Sequence, residues 1–341
     1  MRLFAKRSVC VSITIPIFTV LVGLLMKYGF SSWVRFDVVG PAVSPLPDDG
    51  LRRMLSLTSL LCVGCTRGIG AGIARAACAH GASVVIVGRS APSEKLRSAC
   101  PKLQFIAADL SSMRTAMDVV SMLKPRSIDT VLFTVGIVNG PVRRESSEGI
   151  ELEVAISFLS RFVMTNALVA SDKLISTSTR KPRIFVMGFP GVPNVPQLDD
   201  FNWERSWKAW PSHMNTVVAN DALVMGVART QPDLVNIYGL NPGIIKTELM
   251  FDFLGGKDSL VSQIQQHWIG SVCPSVDDYA TTAIQLLVSP QIENHGGASF
   301  NQYGERIKSS TWLLAKPDNY QRIWTEAKKL QTRALAASES V

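Results

Sequence analysis

No acidic residue occurs in this 341-residue chain before Asp37. The five basic residues of that stretch, Arg2, Lys6, Arg7, Lys27 and Arg35, therefore carry +5 of a formal net charge of +8. Beyond it 30 basic side chains stand against 27 acidic ones, with no basic stripe interleaved with aromatics. That near-balance excludes the polyanion-binding surface a pI of about 9.3 would otherwise imply, so no nucleic-acid partner is expected. No Asn stands in an Asn-x-Ser/Thr sequon, and the six cysteines show no framework spacing, which argues against a disulfide scaffold. Charged residues are scarce, 18% against 47% hydrophobic, which excludes disorder as the main state. A mean hydropathy of +0.19 is high for a plain soluble chain and points to an apolar segment.

That segment is Ser8 to Met26, SVCVSITIPIFTVLVGLLM, uncharged and flanked by Arg7 and Lys27. As a helix it would span about 28 Å, close to the ~30 Å hydrocarbon core of a bilayer. A signal peptide has a shorter apolar region, and Lys27, Tyr28 and Phe30 stand where a cleavage site belongs. A mitochondrial presequence would be amphipathic rather than continuously apolar. The reading is an uncleaved single-pass anchor, of the endoplasmic reticulum or mitochondria. The basic flanks favour a cytosolic N-terminus, which would put the main domain across the membrane, whereas the lack of sequons and of framework cysteines argues against that. The side stays open, with a slight lean to a cytosol-facing domain.

Three prolines and two terminal glycines in Gly40–Gly50 suit a semi-rigid spacer. The expected organisation is an anchor with basic flanks over 1–36, a Pro/Gly linker over 37–56, one domain over 57–320, and a C-terminal helix and tail over 321–341, frayed from Ala334.

From Leu57 apolar strands alternate with amphipathic helices. Ser59 to Val63 reads as a buried strand, followed by Gly64-Cys65-Thr66-Arg67-Gly68-Ile69-Gly70 and a helix Ala71 to His80. A second strand, Ser83 to Val87, ends in Gly88-Arg89. This is a βαβ unit of about 30 residues with a glycine-rich turn. Gly64 permits the tight turn, Gly68 a close approach of backbone to a pyrophosphate, and Gly70 close helix–strand packing. Parallel strands are expected near residues 59, 84, 105, 131, 185, 236 and 299.

The stretch Val63 to Gly70 resembles the TGxxxGIG turn of short-chain dehydrogenases/reductases, with Val63 in place of Thr. Asp109, in Ala107-Ala108-Asp109-Leu110, matches the family's adenine-contacting acidic residue. Phe133-Thr134-Val135-Gly136 takes the NNAG position, keeping the glycine. Asn241-Pro242-Gly243-Ile244-Ile245-Lys246-Thr247 matches the PGxxxT segment, whose Thr binds the nicotinamide carboxamide. The resemblance covers about Leu57 to Asn301. It implies a single doubly wound α/β Rossmann domain with a mostly parallel sheet, here behind a transmembrane helix. The implied cofactor-binding residues are Gly64, Thr66, Arg67, Gly68, Ile69, Gly70, Arg89, Asp109, Leu110, Gly136, Pro242, Gly243 and Thr247.

A carboxylate at the end of the second strand would hold the ribose 2′-hydroxyl of NAD. Arg89 stands there instead, with Arg67 in the phosphate turn. Two guanidiniums suit a 2′-phosphate, so NADP(H) is the expected cofactor.

The family's chemistry uses a Tyr that exchanges a proton, a Lys four residues on that lowers its pKa, a Ser that polarises the substrate oxygen, and an Asn that holds a relay water. By alignment Ser157 stands at the Asn, Phe189 (or Gly188) at the Ser, Thr216 at the Tyr and Asn220 at the Lys. None of Tyr28, Tyr238, Tyr279, Tyr303 and Tyr320 is followed four residues later by Lys. An aliphatic hydroxyl is a poorer proton donor than a phenol of pKa ~10. Whether the chain is an enzyme is therefore left open. One reading is an oxidoreductase on a lipophilic carbonyl or alcohol with non-standard proton delivery. The other is an NADP(H)-binding sensor or scaffold without catalysis.

His213, one turn before Thr216, is a substitute acid if both face the cleft; otherwise it is a solvent-facing residue at a helix start. Asp221 reads as an exposed helix charge. Cys62-x-x-Cys65 reads as structural, since it lies on a buried strand and turn and no second pair completes a metal site. Leu198 to Glu204 resembles a loop of the retinol-dehydrogenase-like branch. Trp203, Trp207 and Trp210 there suit a pocket for a lipophilic ligand, contact with lipid, or plain loop packing. Phe251 to His267 reads as a lid hinged at Gly255-Gly256. The resemblance also implies homodimers through the helices Leu152–Val169 and His213–Arg229, although an anchored member can stay monomeric.

Overall fold

The computed structural model describes residues 37–177, 180–243, 245 and 274–338. The expected anchor at Ser8–Met26, the expected carboxamide-binding Thr247 and the expected lid Phe251–His267 lie outside the described residues.

Among the described residues nine strands form one sheet: β1 Val38–Ala42, β2 Ser59–Val63, β3 Ser83–Gly88, β4 Gln104–Ala107, β5 Thr130–Phe133, β6 Arg183–Met187, β7 Asn236–Leu240, β8 Ser299–Phe300 and β9 Glu305–Ile307. Their order across the sheet is β1-β9-β8-β7-β6-β5-β2-β3-β4. Strands β2 to β8 pair in parallel, and the seven positions expected from sequence each fall on one of them. The central strands read SLLCV, TVLF and RIFVM, runs without alternation that suit burial on both faces. After β4 the chain returns to pair β5 with β2, on the side opposite β3. That reversal creates a switch point, where open α/β sheets hold ligands beyond the carboxyl ends of their strands.

Helices cover both faces. One layer comprises α1 Asp48–Ser56, α2 Gly68–Ala79, α3 Glu94–Ala99 and α7 Val276–Val288. Its core joins Leu55, Leu60, Ile73, Ile86, Phe185 and Leu287. The other comprises α4 Met113–Met122, α5 Leu152–Ala170, α6 Ala209–Thr230 and α9 Asn319–Ala337, with the short α8 Thr311–Ala315 before the last. Its core joins Phe133, Phe158, Phe162, Ile184, Leu223 and Ile323. A fully buried Leu, Ile, Val or Phe contributes ~1.5–3 kcal/mol, so these two clusters fix which helix lies on which face. Helix α5 is long and apolar enough to cross a membrane, yet 78% of its apolar window is buried within the domain, which makes it a core helix. A π-turn at Ala155–Leu159 interrupts it.

Four sequence expectations need correction. The segment 37–56 is not a spacer. Its Val38–Ala42 pairs antiparallel with β9, and Leu51 and Leu55 of α1 are buried. Pro41 is tolerated because β1 is an edge strand. The C-terminal tail is ordered helix to Ala337, with Ala334 fully buried. The cysteines do form bridges, Cys62–Cys65 and Cys78–Cys100. Gly64, at φ +88°, breaks the strand's alternation and brings the Cα atoms of Cys62 and Cys65 to 5.6 Å. The helices expected to form a homodimer carry α9 instead. Trp324 packs edge-on against Phe162 and donates to the Ala222 carbonyl at 3.2 Å, and α6 is buried from Asn215 to Val227.

Candidate functional site

The chain leaves β2 through Gly64, whose amide donates to the Val87 carbonyl at 2.8 Å. A side chain there would collide with the Val135 backbone, and one at Gly70 with Thr134 Oγ1 and Cys65 Sγ. The turn therefore lies tight against the end of β5, which only glycine allows. Around Gly68 there is open space. Helix α2 begins there with no side-chain cap, so its first N–H groups face the crevice. Thr66 packs under Gly88, and Ile69 is half-buried. Arg67 and Arg89 are exposed, and neither makes a side-chain hydrogen bond or ion pair among the described residues. Asp109 is exposed and accepts from the Ser111 amide at 3.0 Å, while Leu110 is buried. Gly136 lies past β5. Buried Pro242 and half-buried Gly243, the latter at φ +66°, lie past β7. Because the strands run parallel, all of these stand on one edge of the sheet. An uncapped helix start with two unpaired guanidiniums fits a phosphorylated dinucleotide.

Of the four positions aligned with the family's catalytic set, Ser157, Thr216 and Asn220 meet behind the other half of this edge. Ser157 Oγ accepts from the Ile137 amide at 2.9 Å. Thr216 is buried, and its hydroxyl donates to the His213 carbonyl at 2.8 Å. Asn220 Nδ2 donates to the carbonyls of Ser157 and Thr216, both at 2.8 Å. Phe189 is half-buried just past β6. Arg161 lies among them. Its Nη1 donates to the Met187 carbonyl at 2.5 Å and to Asn220 Oδ1 at 3.2 Å, and its Nε to the Val135 carbonyl at 3.1 Å. Nη2 also reaches Val135. Burial pulls the guanidinium pKa down to about 9.

One turn nearer the start of α5 and α6, His213 Nδ1 lies 2.5 Å from Glu153 Oε1. Glu153 is fully buried, and its other oxygen accepts from the Asn139 amide at 3.1 Å. Glu151 caps α5 by accepting from the amides of Glu153 and Val154, and burial is the main cause pushing its carboxyl pKa up. The expectation of a solvent-facing His213 is thus replaced by a half-buried, oriented one. Asp221 is also not exposed. It is buried and accepts from the amides of Ser310 at 2.7 Å and Gly191 at 3.3 Å. The three tryptophans do not form one wall. Trp203 is buried at φ +53°, Trp207 donates to the Pro141 carbonyl, and Trp210 is exposed and tilted over His213 at 5.4 Å between centroids.

Arg161 and Glu153 were not singled out from sequence. The signal was present: they are the only charged residues in the 19-residue helix Leu152–Ala170. Charges on so apolar a helix are costly unless paired, which marks them as candidates.

Residues 58–180 match the family model of short chain dehydrogenase. The chain is 34% identical over 279 residues to an uncharacterized oxidoreductase of Saccharomyces cerevisiae, covering 80% of this chain and 87% of that one. It is 22% identical to retinol dehydrogenase 13 of Mus musculus, covering 69% and 70% of the two chains. Among solved structures, 3-oxoacyl-[acyl-carrier protein] reductase from Brucella melitensis in complex with NAD superposes with a TM-score of 0.52 at 18% identity, covering 72% of this chain and 96% of that one.

Proposed function

The chain belongs to the short-chain dehydrogenase family, and from that premise we propose a membrane-anchored NADP(H)-dependent oxidoreductase that acts on a lipophilic carbonyl or alcohol through non-standard proton delivery. The observation that carries this reading is the Glu153–His213 pair at 2.5 Å, one turn from Thr216. When bound, the reduced cofactor supplies the hydride that a carbonyl carbon accepts. The carbonyl oxygen then needs a proton, which Thr216 is ill suited to give. His213 supplies it from Nε2, the nitrogen that Glu153 leaves free, while the buried carboxylate fixes the ring's orientation. Arg67 and Arg89 hold the 2′-phosphate, and the open start of α2 holds the pyrophosphate. A lipophilic substrate agrees with the exposed Trp210 beside His213 and with a relative that acts on retinol. The anchor at Ser8–Met26 would keep the site close to such substrates in the bilayer.

A second reading, a catalytically inert NADP(H) sensor or scaffold, is favoured by a different observation. Ser157, Asn220 and Arg161 satisfy one another and the nearby carbonyls, leaving none of these donors waiting for a substrate oxygen. Incubating purified protein and NADPH with a panel of retinoid, polyprenoid and steroid carbonyls separates the two. NADPH oxidation that disappears in His213→Ala supports the enzyme. Cofactor binding with no hydride transfer to any member of the panel supports the sensor.

A further inference from the structure

Arg161 is a buried cation whose hydrogen-bond partners are all uncharged. The carbonyls of Val135 and Met187 and the amide oxygen of Asn220 accept from it, and no carboxylate pairs with it among the described residues. Its pKa, lowered by burial to about 9, still leaves it charged at neutral pH. The nearest carboxylate on its own helix, Glu153, is eight residues or about 12 Å away along the axis and is engaged by His213. A full positive charge thus stands uncompensated in a low-dielectric site.

Its position gives that charge a target. Val135 and Met187 mark the carboxyl ends of β5 and β6, on one side of the switch point between β2 and β5. Arg89 and Asp109 mark the carboxyl ends of β3 and β4, on the other side. A dinucleotide whose pyrophosphate sits at the start of α2 lies across this reversal, with one nucleoside half over each side. The free guanidiniums Arg67 and Arg89 claim the adenosine 2′-phosphate half, which leaves the nicotinamide half over β5 and β6. Gly136, just past the end of β5 on that side, lies against the buried cation. A Cβ at that position would lie 3.4 Å from both Arg161 Nη2 and Ser157 Oγ.

We propose that Arg161 sets the redox preference of this site, favouring the reduced, uncharged nicotinamide over the oxidised, cationic ring. The inference rests on the cofactor reading above, and it holds whether the protein is an enzyme or a sensor. The two redox forms share every phosphate and ribose, so the ratio of their affinities isolates the ring charge. At an effective dielectric of ~20, unit charges about 10 Å apart shift such a ratio by roughly tenfold.

The test measures NADPH and NADP+ dissociation constants by calorimetry on the wild type, Arg161→Lys, Arg161→Gln and Asn220→Asp. The wild type and Arg161→Lys are expected to bind NADPH roughly tenfold more tightly than NADP+. Arg161→Gln removes the charge, and Asn220→Asp neutralises it while leaving the arginine in place; both should bring the ratio towards one. Asn220→Asp also keeps the test decisive if Arg161→Gln does not fold. The same displacement should appear in the NADH/NAD+ ratio, since Arg89 does not distinguish redox states. Equal affinities in the wild type, or a ratio that Asn220→Asp leaves unmoved, overturn the inference alone and leave Arg161 as a clamp between strands. Failure of the wild type to bind either form overturns the cofactor reading, and the inference with it.

Discussion

Glu153 and His213 come from different helices and meet at 2.5 Å, the carboxylate fully buried and the imidazole half-buried. A carboxylate in that position fixes which ring nitrogen carries a proton towards it and which stays free. If the pair delivers the substrate proton, His213→Ala should lower kcat by about 10²–10⁴ with NADPH affinity unchanged. Glu153→Gln, which can still accept a hydrogen bond, should lower kcat by less and leave KM nearly unaltered. A purely structural pair would instead show up in the melting temperature, with equal kcat for the folded variants.

Gly226 of α6 faces the indole of Trp324 on α9, and any Cβ there would overlap the ring. Gly226→Ala should destabilise the protein by about 1–3 kcal/mol through overpacking. In a Trp324→Ala background, already weakened by about 3–5 kcal/mol, the same substitution should cost little, because its obstacle is gone. Denaturant unfolding of the four proteins in this cycle measures the coupling. Additive effects would show that α9 does not hold this position in solution.

The central sheet was legible because β2, β3, β5 and β6 are short apolar runs bounded by turn residues, a pattern that long-range context rarely overrides. The edge was less legible. Val38–Ala42 contains Gly40 and Pro41 and buries little, so its pairing with β9 left no local trace. Gly64 and Gly70 announced the turn because the backbone approaches there are too close for any Cβ. The other half of the site was hidden because it depends on which buried charge meets which partner. Arg161 reaches carbonyls 26 residues away in either direction, and Glu153 reaches a histidine 60 residues on. Asp221 was misread for the same reason: its partners lie 30 and 89 residues away.

Cys78 at the end of α2 is bonded to Cys100 just past α3, closing a loop with a sequence separation of 22. On the chain-entropy view such a crosslink contributes about 3 kcal/mol. Thiol labelling in denaturant before and after reduction should differ by four cysteines, for Cys62, Cys65, Cys78 and Cys100. Cys78→Ser with Cys100→Ser should lower stability by about that amount. Bridges of this kind persist in oxidising compartments, so a positive result argues against a cytosol-facing domain and agrees with the cytosolic N-terminus that the flanking charges weakly favour. An unchanged thiol count would remove that argument and the bridges together.

The buried carboxyl of Asp221 makes stability depend on pH in a direction opposite to that of an ordinary exposed acid. Burial is the largest cause of its raised pKa, outweighing the amides of Ser310 and Gly191, which favour the charged form. The folded protein therefore holds this proton more tightly than the unfolded chain does. Its stabilising contribution is complete below the ordinary carboxylate range and is lost as pH rises through the raised value. Carboxyls such as Glu204, held low by hydrogen bonds from Arg333 and Asn202, act in the opposite sense and lose their contribution as pH falls. The bare pH profile therefore mixes the two, and the comparison must be with Asp221→Asn, which cannot ionise. The stability of the variant relative to the wild type should rise steadily with pH from the ordinary carboxylate range upward. Urea midpoints taken at intervals across that range measure it. Parallel profiles for the two proteins would mean that Asp221 stays ionised throughout, supported by its two backbone donors despite its burial.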